Sequence, residues 1–473
     1  NMSNLSELLP AGAGAKSADF VASGTLSSGQ AVILKADGTV EAVAETQENN
    51  PTAGTPVSFR ANSISGNNTA TTFDSNSNKV VIAYAGSGPT AHAIVGTVSG
   101  TTISFGSEIQ IVASNGDSFS ATFDTNSNKV VIAYRDSGNS SKGTAVVGTV
   151  SGNSISFGAP VVFETGQVAL TACTFDSSSN KVIISYVGIT TSYYGTAIVG
   201  TVSGTAISFG SAVVYESAET NNLGAAFDSN SNKIVLTYND DPSSDGTAIV
   251  GTVSGTSISF GSPVVFDTSS SLSTSVVFDS NSNKVIVAYR DAGNSSKGTA
   301  IVGTVSGTSI SFGTATVFST GGVEETSAVF DSNSNTVVVS YRDTSNSNYG
   351  TMATGSISGT SISFGTPVVF ESVNVDYISG AFDSAANKAV SSYKGISTSY
   401  GRSVVITPTT TGSNNTSFIG ITDQAIADTA TGAVIVQGGV SDKVTGLTAN
   451  TDYYVQANGT ISATVSTVPA GRA

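Results

Sequence analysis

Residues 118–165 alternate apolar and polar positions in short bursts that read SFSATFD, TNSN, KVVIAYRD, SGNSSKG, TAVVGTV, SGNS and SISFGAPVVFE. Runs of Val, Ile, Phe, Tyr and Thr with a period near two, split by Asn, Ser and Gly clusters, predict four strands, A to D, joined by hairpin-sized connections. In KVVIAY, Val130, Ile132 and Tyr134 point to one side of strand B while Val131 and Ala133 point to the other, so both faces are apolar. Such a meander cannot bury both faces alone and must pack between copies of itself.

The copies are present. The Phe-Asp pair that ends strand A recurs at Phe73, Phe123, Phe175, Phe227, Phe278, Phe330 and Phe382, at intervals of 50, 52, 52, 51, 52 and 52 residues. Self-similarity at this period signals a solenoid or a propeller. The ends of the series choose between them. GTPVSFRAN at 54–62 matches the strand D text GTPVVFESVN at 365–374, while the seventh copy stops after its strand C, SVVITPTT. A strand from ahead of the first full copy therefore completes the last one. This predicts an all-β fold: a closed seven-bladed β-propeller with four-stranded blades over residues 54–410, sealed by 54–60.

The flanks are smaller. SGTLSSGQAVILKADGTVEAVAE (23–45) holds a hairpin turning at Asp37-Gly38, and 417–465 reads as several more strands with a hairpin at Asn458-Gly459. Neither piece is large enough to stand alone, so residues 1–50 and 411–473 are expected to fold together as one small β-domain into which the propeller is inserted.

Composition narrows the partners. With 33 acidic against 18 basic residues the net charge is -15, which disfavours nucleic acid and anionic lipid. No apolar run approaches a membrane span, and Met2–Phe20 lacks the basic start and apolar core of a secretory leader. A protein working outside a cell would then leave by lysis, on a particle, or with its leader removed. Cys173 is the single cysteine, which excludes an internal disulfide framework and suits a small buried hydrophobe.

Two readings are open for the seven aspartates from Asp74 to Asp383: a ring of cation ligands, or Asx turns with an ion pair to the lysine five residues on, as in Asp74 and Lys79. No calcium-loop or Asp-box spacing supports the first, and no metal or cofactor is expected. The strand B tyrosines, Tyr84, Tyr134, Tyr186, Tyr238, Tyr289, Tyr341 and Tyr393, suit core positions whose hydroxyls reach a loop. His92, the lone histidine, is expected at the surface, and without a second histidine no Ser-His or Cys-His system can form elsewhere.

Variation among the repeats is one-sided. The A–B and C–D turns keep DSNSN-like and SGTS-like text, whereas the B–C connections and the D–A connections, such as ESAETNNLG, DTSSSLSTS and STGGVEETS, differ from copy to copy. Both variable sets emerge at one end of the strands and suit recognition. The candidate binding residues there are Arg135, Asp136, Tyr193, Tyr194, Arg290, Asp291, Arg342, Tyr349 and Tyr400: rigid stacking surfaces and bidentate donors. The only acids placed for glycan cleavage are Asp240, Asp241, Glu324 and Glu325, in different repeats and in no known motif.

SGQAVILKADGTVEAV, together with FIGITDQAIADTATGAVIVQGGV and GLTANTDYYVQANGTISAT, resembles the small β-domain of tailed-bacteriophage virion proteins, especially marine and cyanophage-like ones. FDSNSNKVVIAYRD and GTVSGTSISFGSPVVF are similar to repeats in marine phage structural proteins. The resemblance implies a non-enzymatic structural virion protein (capsid decoration, fibre or tail-associated) outside the cell. Its terminal β-domain would dock on other virion proteins and its propeller would meet host-surface polysaccharide. It also implies one more strand after Gly471-Arg472-Ala473, missing or supplied by a neighbouring subunit. Two alternatives stay open: a propeller glycan lyase or glycosidase, and a self-assembling filament subunit whose terminal domain exchanges strands, which leaves homo-oligomerisation open.

Overall fold

Strand B explains the fold locally. Its seven copies, Lys79–Gly86, Lys129–Asp136, Lys181–Gly188, Lys233–Asp241, Lys284–Asp291, Thr336–Asp343 and Lys388–Gly395, bury both faces, with Val130 through Tyr134 all at 0% exposure. The computed structural model describes residues 17–472 apart from 36, 44, 49–50, 89, 242, 409, 414–417, 437–442, 446, 449–450, 457–458 and 465–468. Met2 and Asn458, named above for a leader and a hairpin, lie outside the described residues. The chain divides into two units, residues 1–48 with 411–473, and residues 49–410.

Within 49–410 each repeat is an antiparallel run A-B-C-D. In the second, strand A is Gly116–Asp124, strand C is Lys142–Ser151, and strand D is Ser154–Phe157 followed by the start of Val161–Asp176. The last Asn of each A–B turn, such as Asn128 at φ 54°, and the Gly of each C–D turn, such as Gly152 at φ 57°, take the left-handed conformation that these tight turns require.

The expected D–A loops are mostly absent. Val213–Asp228 and Thr316–Asp331 run unbroken through ESAETNNLG and STGGVEETS, whereas DTSSSLSTS is interrupted between Val264–Asp267 and Ser271–Asp279, as is the first connection between Ile109–Val112 and Gly116–Asp124. The chain leaves one sheet and enters the next as a continuous strand because its first half pairs with strand C of its own repeat and its second half with strand B of the following one. A register shift in each strand A absorbs the change of direction, for instance between Asn221 and Gly224.

Neighbouring repeats meet through aromatic rings. The strand D ring of one repeat rests on the strand B tyrosine of the next, with centroids 5.3 Å apart for Phe163–Tyr186, Tyr215–Tyr238, Phe266–Tyr289, Phe318–Tyr341 and Phe370–Tyr393. Each such ring lies over a strand C glycine: a Cβ at Gly143 would stand 2.3 Å from the Phe163 ring. The first repeat swaps both partners, with Ala91 at the glycine position and Ile111 at the ring position, so volume is conserved.

The last strand C, Tyr400–Thr407, pairs with Thr52–Ala53 and with the start of Val57–Asp74. Phe59 from that strand rests on Tyr84 at 5.0 Å, matching the internal junctions.

In the other unit, strands from both ends of the chain interleave in one sheet, in the order Ser17–Val21, Thr431–Val436, Phe418–Thr422, Ala31–Leu34 and Val40–Ala42. Its core is Leu26, Val32, Val40, Ile426, Val434 and Val436. Asp37 shapes the hairpin by accepting from the Thr39 amide at 3.0 Å. A second sheet pairs Asp452–Val455 with Ile461–Ser462 and Pro469–Arg472.

Candidate functional site

All seven A strands line one cavity of about 420 Å³, whose upper wall is hydroxyl-rich through Thr69, Ser120, Thr171, Thr274, Ser327 and Ser379. Threonine clasps stitch adjacent A strands at this level: Thr171 Oγ1 donates to the Ser118 carbonyl at 2.6 Å, and Thr69 Oγ1 to the Tyr377 carbonyl at 2.7 Å. Below it, a second space of about 480 Å³ is lined by Phe123, Phe175, Phe227 and Phe278. Cys173 lines the upper cavity, and burial pushes its thiol up to about 12, so it is no nucleophile at neutral pH.

The charged residues of the variable end gather beside the mouth of this cavity, in the fifth to seventh repeats. Arg342 donates from Nη1 to Asp376 Oδ1 at 2.9 Å and from Nη2 to Glu324 Oε2. Arg290 reaches Glu324 Oε1 from the preceding repeat at 3.4 Å and gives its other Nη to Ser296 Oγ at 3.0 Å. Lys394 lies 5.6 Å above the Tyr377 ring.

Glu325 and Tyr377 stand beside this lattice at left-handed backbone positions, φ 57° and 58°. The same register-shift position is left-handed at Ser118, Asn222 and Ser273, so the conformation belongs to the repeat. Glu325 Oε2 accepts from the amides of Tyr377 and of Ile378, the latter at 3.3 Å. Burial, then the charge of Asp376 beside it, pushes the Glu325 carboxyl up to about 7, with Arg342 opposing.

The expected residues separate into groups. Arg290, Arg342, Glu324 and Glu325 come together at the cavity mouth. Arg135 lies apart, 3.8 Å from Asp117. Asp136 and Asp291 are committed to local structure: each caps a short 3₁₀ turn, accepting from Asn139 N at 3.2 Å and Asn294 N at 2.9 Å. Tyr194, Tyr349 and Tyr400 open strand C in three repeats, while Tyr193 is the exposed ring, at 39%. Asp240 and Asp241 sit in the fourth repeat, away from Glu324 and Glu325, and burial followed by the Glu216 charge raises the Asp240 carboxyl.

Four expectations are corrected. The arginines are not free donors, because a strand A acid or its neighbour occupies each one. No Asp–Lys ion pair crosses the A–B hairpins among the described residues: Asp74 Oδ1 takes the Asn76 and Ser77 amides at 2.9 and 3.0 Å, and Lys79 donates to Thr97 Oγ1 at 2.7 Å. Three strand B hydroxyls reach strand D acids rather than loops, Tyr186 to Glu164 at 2.9 Å, Tyr238 to Glu216 at 3.1 Å and Tyr393 to Glu371 at 3.0 Å, and those of Tyr134 and Tyr341 are buried without a partner. His92 is also largely enclosed, at 13% side-chain exposure, and is stacked on Tyr84. Among the described residues no His, Cys, Asp and Glu group suits a metal ion.

Asp376, Tyr377 and Lys394 were missed. Aligning the repeats on Phe-Asp reveals them, because acids early in strand A face bases late in strand B: Asp117 opposite Arg135, Glu324 opposite Arg342 and Asp376 opposite Lys394.

No family model matches the chain, and no curated protein matches it. Among solved structures it is similar to the β-propeller domain of Cps50 (Swd1) from Myceliophteria thermophila, at 7% identity and TM-score 0.49, over 74% of this chain and 98% of that one. It is also similar to a protein of unknown function from Dyadobacter fermentans, at 12% identity and TM-score 0.47, over 76% and 99%.

Proposed function

We propose that residues 49–410 form a closed seven-bladed β-propeller serving as a non-enzymatic recognition module for surface glycans. In this reading the residues of the other unit mount it on a particle such as a virion. The closed ring is supported by strand C of the seventh repeat pairing with the strand that precedes the first, and by the ring packing of Phe59 on Tyr84. The particle rests on the phage-like text of the flanks.

The observation that carries recognition is the unequal variation of the two ends. One end holds Arg290, Glu324, Arg342, Asp376 and a Tyr377–Lys394 pair beside a hydroxyl-lined mouth; the other is a ring of near-identical Asx turns. Paired guanidinium and carboxylate groups next to an aromatic ring match the vicinal hydroxyls and apolar faces of sugars. The test is adsorption of the full chain to host cells and purified polysaccharide. Tyr377→Ala should weaken binding about tenfold, as loss of one aromatic anchor does, while Asn126→Ala on the constant end leaves it unchanged. Equal losses from both, or no adsorption at all, would sink the reading.

The raised carboxyls of Glu325, beside Asp376, and of Asp240, near Glu216, are the features favouring a glycan hydrolase. Glycosidase carboxyls stand about 5–9.5 Å apart to admit the sugar or a water, whereas Glu325 is in hydrogen-bonding contact with Asp376 and spends an oxygen on two amides. New reducing ends after incubation with polysaccharide would reverse this preference.

A further inference from the structure

The junction where Val57–Asp74 completes the seventh repeat departs from the repeat pattern by a reversal of charge. Arg60 stands where the second to sixth repeats have Glu164, Glu216, Asp267, Ser319 and Glu371, each facing the strand C glycine in the same register. Glu108 stands where the other repeats have proline or alanine, and His92 and Arg402 stand where the other five have threonine. All four exceptions lie in the two repeats that this strand joins.

They also contact one another or the strand. Arg60 Nη1 meets Glu108 Oε2 at 2.7 Å, and its guanidinium lies 5.7 Å from the Tyr84 ring centre. The Tyr84 hydroxyl donates to the same Glu108 oxygen at 2.8 Å. His92 stacks on Tyr84 at 5.9 Å with Nδ1 3.9 Å from Glu108. Arg402 pairs with Glu371 and donates to the Pro56 carbonyl at 3.4 Å, on the incoming strand itself. Arg60 is well covered, at 11% side-chain exposure.

Near-identical repeats create a problem of choice. Strand D of the second to sixth repeats offers the same backbone and an aromatic ring to strand C of the seventh, so hydrogen bonding and packing alone do not select the right one. Side-chain charge does. At three internal junctions the strand D acid accepts from the tyrosine hydroxyl, Glu164 from Tyr186 at 2.9 Å, Glu216 from Tyr238 at 3.1 Å and Glu371 from Tyr393 at 3.0 Å. Arginine has no acceptor, so here the acceptor must come from elsewhere, and Glu108 supplies it. A strand D that carries an acid would in this place set it against Glu108; the Arg60 strand at the Tyr186, Tyr238 or Tyr393 junction would leave a buried tyrosine hydroxyl without its acceptor.

We propose that Arg60 and Glu108 form a charge key selecting the chain's own strand at 57–63, over the strand D of an internal repeat, as the partner of strand C in the seventh repeat. His92 and Arg402 flank the key as positioning residues. The inference rests on the closed-ring reading.

The test is hydrogen exchange of the 57–63 and 400–407 backbone amides in the full chain, for the parent, R60E, E108R and the double variant. Each single reversal should speed exchange about tenfold, because like charges are then in contact beside the covered position 60, with the 43% exposure of Glu108 limiting the effect. The double variant should return to within a few-fold of the parent, because the carboxylate at position 60 can then accept from Tyr84 as at other junctions. Single variants as protected as the parent, or a double variant as fast as the singles, would overturn the key while leaving the ring intact. Parent amides at 57–63 exchanging as fast as an unstructured peptide would instead overturn the closed ring itself.

Discussion

The two ends of strand B meet the same backbone need in different ways. At the A–B end all seven repeats use one device: the aspartate after the phenylalanine accepts from the amides two and three residues on, as Asp176 does from Ser178 and Ser179 at 2.8 and 3.0 Å. At the B–C end, Asp136 and Asp291 cap 3₁₀ turns, the Ile189–Thr191 turn has no side-chain cap, and Asp343 takes the Ser345 amide at 3.0 Å. A four-residue turn between two buried strands admits one solution. A longer connection admits several, and that freedom lets its flanking side chains pair across repeats and face a partner.

The sharpest break in this contrast comes from the rigid end. Gly158 lies against the C–D turn of the next repeat, and a Cβ there would stand 1.9 Å from the Thr205 carbonyl oxygen, a backbone atom that cannot swing aside. Gly158→Ala should cost about 3 kcal/mol or more, read as a drop in denaturation midpoint. Gly188→Ala, at the variable end, meets first the Thr191 Oγ1, at 2.5 Å, with the rest of that side chain 3.7 Å or more away. The hydroxyl can swing aside by a change of rotamer, so the cost should stay near about 1 kcal/mol. Equal losses would mean that both ends are equally fixed.

The next effect tests whether strand B tyrosines are equivalent. Tyr186 donates to Glu164, but the Tyr134 hydroxyl is buried with no partner, because Val112 occupies the acid position in the first repeat. Tyr186→Phe should lose about 1–2 kcal/mol and Tyr134→Phe should be neutral or stabilising. A comparable loss from both would show that the ring alone matters.

Much of this arrangement is legible in the sequence. The four strands, the repeat and the 54–62 match to strand D follow from period-two patterning and self-similarity, which depend on short-range chemistry. The D–A continuity was not legible. Text such as ESAETNNLG is rich in turn formers, yet its pairing with two different sheets holds it extended. The fate of Arg290 was hidden for a related reason: its cross-strand partner is Leu272, so its charge turns to Glu324 of the following repeat. Contacts between repeats depend on how sheets stack, and a linear pattern does not carry that.

A smaller effect concerns pH at the cavity mouth. The Glu325 carboxyl is held near 7 in the folded chain against an ordinary value of 4.5. A raised folded value stabilises fully below pH 4.5, and that contribution is lost as pH rises through 7. His92 runs the other way: burial, with Arg60, lowers its value against the pull of Glu108, so its contribution is complete above pH 6.5 and fades below it. Between these limits the two slopes oppose. Thermal midpoints of Glu325→Gln across pH 4–8 should lose the decline toward neutrality, and an unchanged profile would show that Glu325 ionises normally.

The smallest change separates stability from recognition at one residue. Tyr193 holds a left-handed backbone, φ 64°, at 39% exposure, with its amide bonded to the Gly188 carbonyl at 2.8 Å. A tyrosine there costs about 1 kcal/mol that glycine avoids, partly offset by the greater freedom of glycine in the unfolded chain. Tyr193→Gly should therefore leave the midpoint unchanged or raise it by about 0.5 kcal/mol. If this ring serves recognition, the same variant should adsorb more weakly to host polysaccharide. A gain in stability with undiminished adsorption would assign the exposed ring to the variable end's freedom to drift.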